Sequence, residues 1–111
     1  MTEDDLRRLE AIGSTVEFTA GQVLIERGQP GAGLFVLSEG SLVVEAPEGT
    51  RELGSGAVFG ERALLSPDGR RTARVRALTD GALLAVDRSE IDRLCADDPG
   101  FAERLARVRW S

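Results

Sequence analysis

The stretch FGERALLSPDGRRTARV, residues 59–75, holds the features from which the rest of the chain can be interpreted. Gly60 and Glu61 stand at the start of a predicted short helical turn, a loop with Pro, Asp and Gly follows, and Arg71 begins an apolar-alternating strand. Backbone N–H groups at a helix start and a guanidinium are groups that bind phosphate. Because an acid beside such groups favours a hydroxyl over a second anion, the stretch predicts a site for a ribose phosphate.

The strand after the loop predicts which of two adjacent arginines points inward. Side chains alternate between the two faces of a strand, so Arg71 shares the apolar face of Ala73 and Val75, and Arg70 does not. Burying an arginine is costly unless an anion meets it. Two alternatives need no ligand, namely an internal salt bridge between Arg71 and Glu61, or a loop arginine that stays in water.

Residues 14–87 have the pattern of short strands separated by turns. Runs rich in Val, Leu and Phe alternate with turn residues such as Gly, Pro and Asp, and no long helix separates them. This pattern predicts an antiparallel barrel or double-sheet roll of roughly eight strands. The predicted strands are Thr15–Phe18, Val23–Glu26, Leu34–Leu37, Leu42–Ala46, Arg51–Leu53, Thr72–Leu78 and Ala82–Val86.

Helical patterns flank the strand-rich region on both sides. Thr2 is a predicted N-cap, and the three acids after it suit the positive end of the helix dipole. After the strands, Ser89 is the predicted cap of one helix, and Asp98 with Pro99 begins another. We expect Arg104 to lie on the solvated face of this last helix.

The length of 111 residues is that of one domain, so we expect residues 1–111 to fold as a single unit. Within it we expect a helix over residues 2–13, a β-roll over residues 14–87 and C-terminal helices over residues 89–110. The β-roll would contain the stretch at residues 59–75.

Composition excludes several classes of function. The chain has no histidine and a single cysteine, Cys95, which excludes the usual zinc sites, Ser-His-Asp triads and Cys-His pairs. A formal net charge of −5 argues against nucleic acid as a partner. No apolar run approaches the roughly 20 residues that cross a bilayer, and the acidic N-terminus does not fit a secretory signal. We expect a cytoplasmic protein that is not an enzyme, has no catalytic residues and needs no metal or cofactor.

The pattern Phe59-Gly60-Glu61-x-Ala63-Leu64-Leu65, followed by Arg71-Thr72-Ala73-x-Val75, resembles the phosphate-binding cassette of the cyclic nucleotide-binding domain family. The similarity extends over nearly the whole chain. It implies a mainly β fold with flanking α-helices: an antiparallel double-stranded β-helix, which is a jelly-roll-like β-roll, with one N-terminal and two C-terminal helices.

The resemblance also implies roles for cassette residues. Arg71 would bind the exocyclic oxygens of the cyclic phosphate, and Glu61 would accept the ribose 2′-hydroxyl proton. Arg62 and Ala63 would offer backbone N–H groups, although an apolar residue is usual at the position of Arg62. The implied ligand-binding residues are Gly60, Glu61, Arg62, Ala63, Arg71 and Thr72.

A base wall is implied less directly. Family position indicates Val44 and Leu53 as apolar contacts of the base. Trp110 is either an aromatic lid on the base or a core or interface residue near the end of the chain. Thr72 lies where a hydroxyl-bearing residue often contacts the phosphate or the base, and in the family threonine here is associated with tolerance of cGMP.

The function implied is that of a sensor for cAMP, cGMP or both, in which binding moves the C-terminal helices. Its partner would be an effector protein in trans or an output domain absent from this chain. The first alternative is a non-binding interaction or structural module with a vestigial pocket, in which Glu61 and Arg71 pair with each other. The second is an enzyme of the cupin type, but such enzymes usually rely on histidine-bound metal.

Overall fold

The computed structural model describes residues 1–29, 33–60 and 70–107, and these ranges contain eight strands and three helices. The helices are α1 (Glu3–Ile12), α2 (Arg88–Asp97) and α3 (Pro99–Ala106). The strands are β1 (Ser14–Phe18), β2 (Val23–Ile25), β3 (Gly33–Glu39), β4 (Leu42–Ala46), β5 (Gly49–Leu53), β6 (Val58–Phe59), β7 (Arg74–Ala77) and β8 (Gly81–Asp87). Among these residues, no helix is both long and apolar enough to span a membrane.

The strands form two four-stranded antiparallel sheets. The first has the order β1-β8-β3-β6, and the second has the order β2-β7-β4-β5. Most neighbours within a sheet are distant in sequence; β8, for example, pairs with both β1 and β3. This arrangement confirms the prediction of a mainly β, antiparallel, jelly-roll-like β-roll with flanking helices.

Each sheet contributes one face to a core that fills the roll. This core contains Phe18, Ile25, Leu37, Leu42, Val44, Leu53, Phe59, Ala73, Val75, Ala77 and Leu83. A second core lies between the outer face of the first sheet and the helices, and contains Leu9, Leu34, Val58, Leu84, Val86, Ile91, Phe101 and Leu105. Because successive side chains alternate, Leu83 packs inside the roll and Leu84 packs against the helices. Burial on both faces explains the continuous apolar run in β8.

The predicted helix starts are correct at two of three places. Thr2 caps α1, since its hydroxyl accepts from the Asp5 N–H at 3.1 Å and the Asp5 carboxylate accepts from the Thr2 N–H at 3.0 Å. Asp98 caps α3 by accepting from the Gly100 N–H at 3.0 Å. Both caps satisfy N–H groups that have no partner within the helix.

The predicted cap at Ser89 is wrong. Helix α2 begins at Arg88, and its N-cap is Asp87, which makes no capping hydrogen bond with its side chain. Strand β8 continues to Asp87, so the chain turns directly from strand to helix and leaves Ser89 inside the first turn.

The expectation that Arg104 lies on a solvated face is also wrong. Its guanidinium contacts Asp5, whose side chain is fully buried, and Asp98. Arg8 contacts the same two carboxylates. Residues near the two ends of the described chain therefore form one ionic cluster, which we call the helix clamp: Asp5, Arg8, Asp98 and Arg104.

Strand β6 has no counterpart among the predicted strands. Its two residues, Val58 and Phe59, are too few to show a period, and they pair with Val36 and Phe35 of β3. This short pairing places Gly60, the residue after β6, against β3.

Candidate functional site

Arg71 lies in the segment that leads into β7, and its side chain is buried. Its backbone N–H donates to the Gln29 carbonyl at 2.8 Å, and its carbonyl accepts from the Gly28 N–H at 2.9 Å. Its guanidinium donates from Nη1 to the Gly60 carbonyl at 2.8 Å and from Nη2 to the Gly33 carbonyl at 3.1 Å. Hydrogen bonds at both ends of the residue therefore fix the position of this cation.

The predicted inward direction of Arg71 is confirmed. The residue is 9% exposed, and Ala73 and Val75 on the same face are buried as well. Arg70 is exposed and donates from Nη1 to the Gly28 carbonyl at 2.8 Å. Thr72 is exposed on the face opposite to Arg71, as alternation requires. The roles of Arg71 and Thr72 in binding stay predictions.

An aromatic pair supports the Arg71 guanidinium. Its Cζ lies over the ring of Phe35, 5.3 Å from the ring centroid, which is within cation–π distance. The Phe35 ring stacks on Phe59 with centroids 5.2 Å apart and an interplanar angle of 24°. These two phenylalanines are register partners in β3 and β6, so the strand pairing itself sets the stack.

Because Gly60 has no side chain, the Arg71 guanidinium can occupy the space beside it. Its φ of +88° lies in the left-handed region that glycine adopts without strain. A Cβ at this position would stand 2.7 Å from Arg71 Nη1 and 3.1 Å from Cδ2 of Phe35. The glycine is thus required both by the backbone conformation and by the close approach of the arginine.

A cavity of about 430 Å³ opens beside Arg71, within the size range of small-ligand sites. Its walls combine apolar residues, among them Ile25, Phe35 and Ala85, with the polar residues Glu26, Gln29, Asp87 and Arg71. Glu26 is held by Arg74, whose Nε donates to Oε1 at 2.9 Å. The lining of the cavity therefore includes a cation, two acids, an amide and an apolar surface.

The predicted base-wall residues Val44 and Leu53 lie in the core between the sheets. They are 3% and 2% exposed, and they belong to the same cluster as Phe59. Neither is among the described residues that line the cavity at Arg71. Their role as a wall for a base stays a prediction.

Four further predicted site residues lie outside the described residues: Glu61, Arg62, Ala63 and Trp110. The alternative in which Glu61 pairs with Arg71 falls on the same part of the chain. Within the described ranges, no group of three or more His, Cys, Asp or Glu side chains is arranged to hold a metal ion.

Sequence reasoning missed Phe35 and Gly33 as site residues. Phe35 has the same parity as Leu37, so its inward direction could have been predicted. Nothing local indicates that Arg71 is its neighbour, because the contact depends on how β3 and β6 pair. Gly33 contributes a backbone carbonyl, for which side-chain patterns carry no signal.

Comparison with known proteins gives consistent matches. Residues 15–98 match the family model described as the cyclic nucleotide-binding domain. The chain is 42% identical over 84 residues to a cyclic nucleotide-gated potassium channel of Mesorhizobium japonicum. The aligned segment covers 76% of this chain and 23% of the channel. It is 30% identical over 99 residues to a CRP-like cAMP-activated global transcriptional regulator of Mycobacterium tuberculosis. Here the aligned segment covers 84% of this chain and 44% of the regulator.

A solved structure from work on a cyclic-GMP-dependent signalling pathway that regulates bacterial phytopathogenesis has the same architecture. It superposes with a TM-score of 0.84 at 32% identity, covering 96% of this chain and 89% of that one. By contrast, this chain spans less than half the length of the two relatives named above.

Proposed function

The chain belongs to the cyclic nucleotide-binding domain family, and on this premise we propose that it is a sensor module that binds cAMP or cGMP and performs no chemistry on it. The observation that carries the proposal is Arg71, a buried guanidinium at the wall of an open cavity of ligand size. A planar guanidinium matches the two exocyclic oxygens of a cyclic phosphate.

The remaining contacts are those that the resemblance to the family implies. The backbone of Gly60 and the N–H groups of Arg62 and Ala63 would complete the phosphate site, and Glu61 would accept the ribose hydroxyl. Thr72 would add a hydroxyl at the rim. Val44, Leu53 and Trp110 would contact the base. The likeness to a cAMP-activated regulator and to a structure from a cyclic-GMP-dependent pathway supports both nucleotides as candidates.

Transmission would run from Arg71 to helix α2. Arg71 Nη2 donates to the carbonyl of Gly33, which is the register partner of Asp87. Asp87 lines the cavity and is the N-cap of α2. A ligand that binds the guanidinium would therefore act next to the start of the C-terminal helices. It can shift the position of these helices only to the extent that its affinity differs between the two arrangements of the helices.

The output lies with a partner, either an effector protein in trans or a domain in a longer protein. The lengths of the channel and the transcriptional regulator support this proposal, because the matched segment is a minor part of each. The same kind of nucleotide-binding module would then act on different effector proteins or output domains.

Calorimetric titration with cAMP and with cGMP tests the proposal. We expect saturable binding to the unmodified chain and at least a tenfold loss in Arg71→Ala, because an unpaired ligand phosphate costs about 2–5 kcal/mol. Arg70→Ala is the matched control, since it removes an adjacent but exposed arginine, and its affinity should stay within about twofold. Absence of both heat and thermal shift with either nucleotide would reject the sensor and favour a non-binding module.

A further inference from the structure

We propose that Phe35 is a positioning residue that holds the Arg71 guanidinium in the orientation needed to bind a phosphate. The inference rests on the proposed function, and it concerns a residue outside the cassette at residues 59–75. An arginine side chain has many rotamers, and two parallel hydrogen bonds to an anion require the plane of its guanidinium to be fixed.

Among the described residues, three contacts restrain that plane. The carbonyls of Gly60 and Gly33 accept from Nη1 and Nη2, so both terminal nitrogens of the fork are restrained at their edges. The Arg71 Cζ lies over the Phe35 ring, 5.3 Å from the ring centroid. Edge contacts alone leave the guanidinium able to tilt out of its plane, and the ring opposes that motion.

The ring itself is immobilised by its neighbour. Phe35 stacks on Phe59, which is 0% exposed and belongs to the core inside the roll. Phe35 is only partly buried, because its remaining surface lines the cavity beside Arg71. A rigid aromatic surface thus supports the cation on the side of the core.

All of these contacts come from one strand pair. Gly33 and Phe35 belong to β3, Phe59 belongs to β6, and Gly60 follows it directly. The pairing of Phe35 with Phe59 therefore positions both the ring and the carbonyl of Gly60. The two-residue strand β6 therefore positions the groups that hold the Arg71 side chain.

The test compares Phe35→Leu with Phe35→Tyr. Removing the ring should weaken binding of cAMP or cGMP by about two- to thirtyfold, the range expected for a cation–π contact. Phe35→Tyr keeps the ring and should restore affinity to within about twofold. Phe18→Leu is the control, since it makes the same change in the core of the roll at the opposite end of β8, beside Gly81.

A spectroscopic readout is independent of the ligand. In the unliganded chain, the Arg71 side-chain NMR signals should show a ring-current shift that is lost in Phe35→Leu and kept in Phe35→Tyr and Phe18→Leu. Arg71 signals that are the same with and without the ring would overturn the positioning role. So would an affinity that is unchanged in Phe35→Leu, or one that falls equally in Phe35→Leu and Phe35→Tyr. Failure of the unmodified chain to bind either nucleotide would instead contradict the proposed function.

Discussion

Arg104 binds Asp5 through two hydrogen bonds, from Nε to Oδ2 at 2.5 Å and from Nη2 to Oδ1 at 2.8 Å, across a separation of 99 residues. Arg8 donates to the same carboxylate at 2.6 Å. Both arginines also donate to Asp98, each at 3.1 Å. The helix clamp thus joins α1 to the start and the body of α3 by polar contacts, beside the apolar packing of Phe101.

Replacing Asp5 with Asn should destabilise the fold by about 2–3 kcal/mol. Breaking a wholly buried pair costs roughly 3–5 kcal/mol, and the value is lower here because Arg104 and Arg8 remain 29% and 37% exposed and regain water. Chemical denaturation measures the change. Asp4→Asn is the control: Asp4 pairs with Arg7 at an exposed site, and its loss should cost less than about 0.5 kcal/mol. Equal costs for the two variants would contradict the assigned role of the clamp.

The contribution of Asp5 should depend on pH. Hydrogen bonds from Arg104 chiefly, and also from Thr2 and Arg8, hold the pKa of the Asp5 carboxyl well below its usual value, against the opposing effect of burial. A lowered folded-state pKa stabilises the fold above the unfolded pKa of 3.8, and this stabilisation falls as the pH drops towards the folded value. The difference in unfolding free energy between the unmodified chain and Asp5→Asn should be constant from pH 7 to about pH 5 and shrink below about pH 4. A difference that grows on acidification would be inconsistent with the ionised clamp.

Gly60→Ala should lower nucleotide affinity as well as stability. The added Cβ would clash with Arg71 Nη1 at 2.7 Å, and the left-handed φ costs a further roughly 1–2 kcal/mol. Gly56→Ala provides the matched control, because Gly56 has a similar φ of +91° and open space around its Cβ position. Both variants should lose stability in thermal unfolding, and calorimetry should show weakened binding for Gly60→Ala alone. Comparable nucleotide affinities in the two variants would show that Gly60 has no role in the binding site.

Nucleotide binding should change hydrogen exchange in the first turn of α2. Arg71 reaches this turn through the Gly33 carbonyl and the register pair of Gly33 with Asp87. Strand β1, Ser14–Phe18, contributes no described residue to the cavity and none of the proposed ligand contacts, so it serves as the internal reference. Mass spectrometry of exchanged peptides would show altered protection over Arg88–Asp97 and unchanged protection in β1. Binding that leaves α2 unaltered would refute the proposed route of transmission.

Local patterns predicted much of the fold. Turn residues and short apolar runs predicted strands in the right order, and the predicted bounds of Leu42–Ala46 are those of β4. The caps at Thr2 and Asp98 were predictable because a cap depends on residues within one helical turn. The inward direction of Arg71 was predictable because alternation along a strand is also a local rule.

The sequence by itself therefore determined the class of fold, the order of its elements apart from β6, and the face on which Arg71 lies. Only the tertiary structure decided that Arg71 contacts Phe35 and that Arg104 binds the buried Asp5. The physical reason is the range of the interactions. Periodicity and capping arise between residues a few positions apart. The contacts of Arg71 with Phe35 and of Arg104 with Asp5 arise instead from strand pairing and helix docking between distant segments. No local sequence pattern records such long-range contacts.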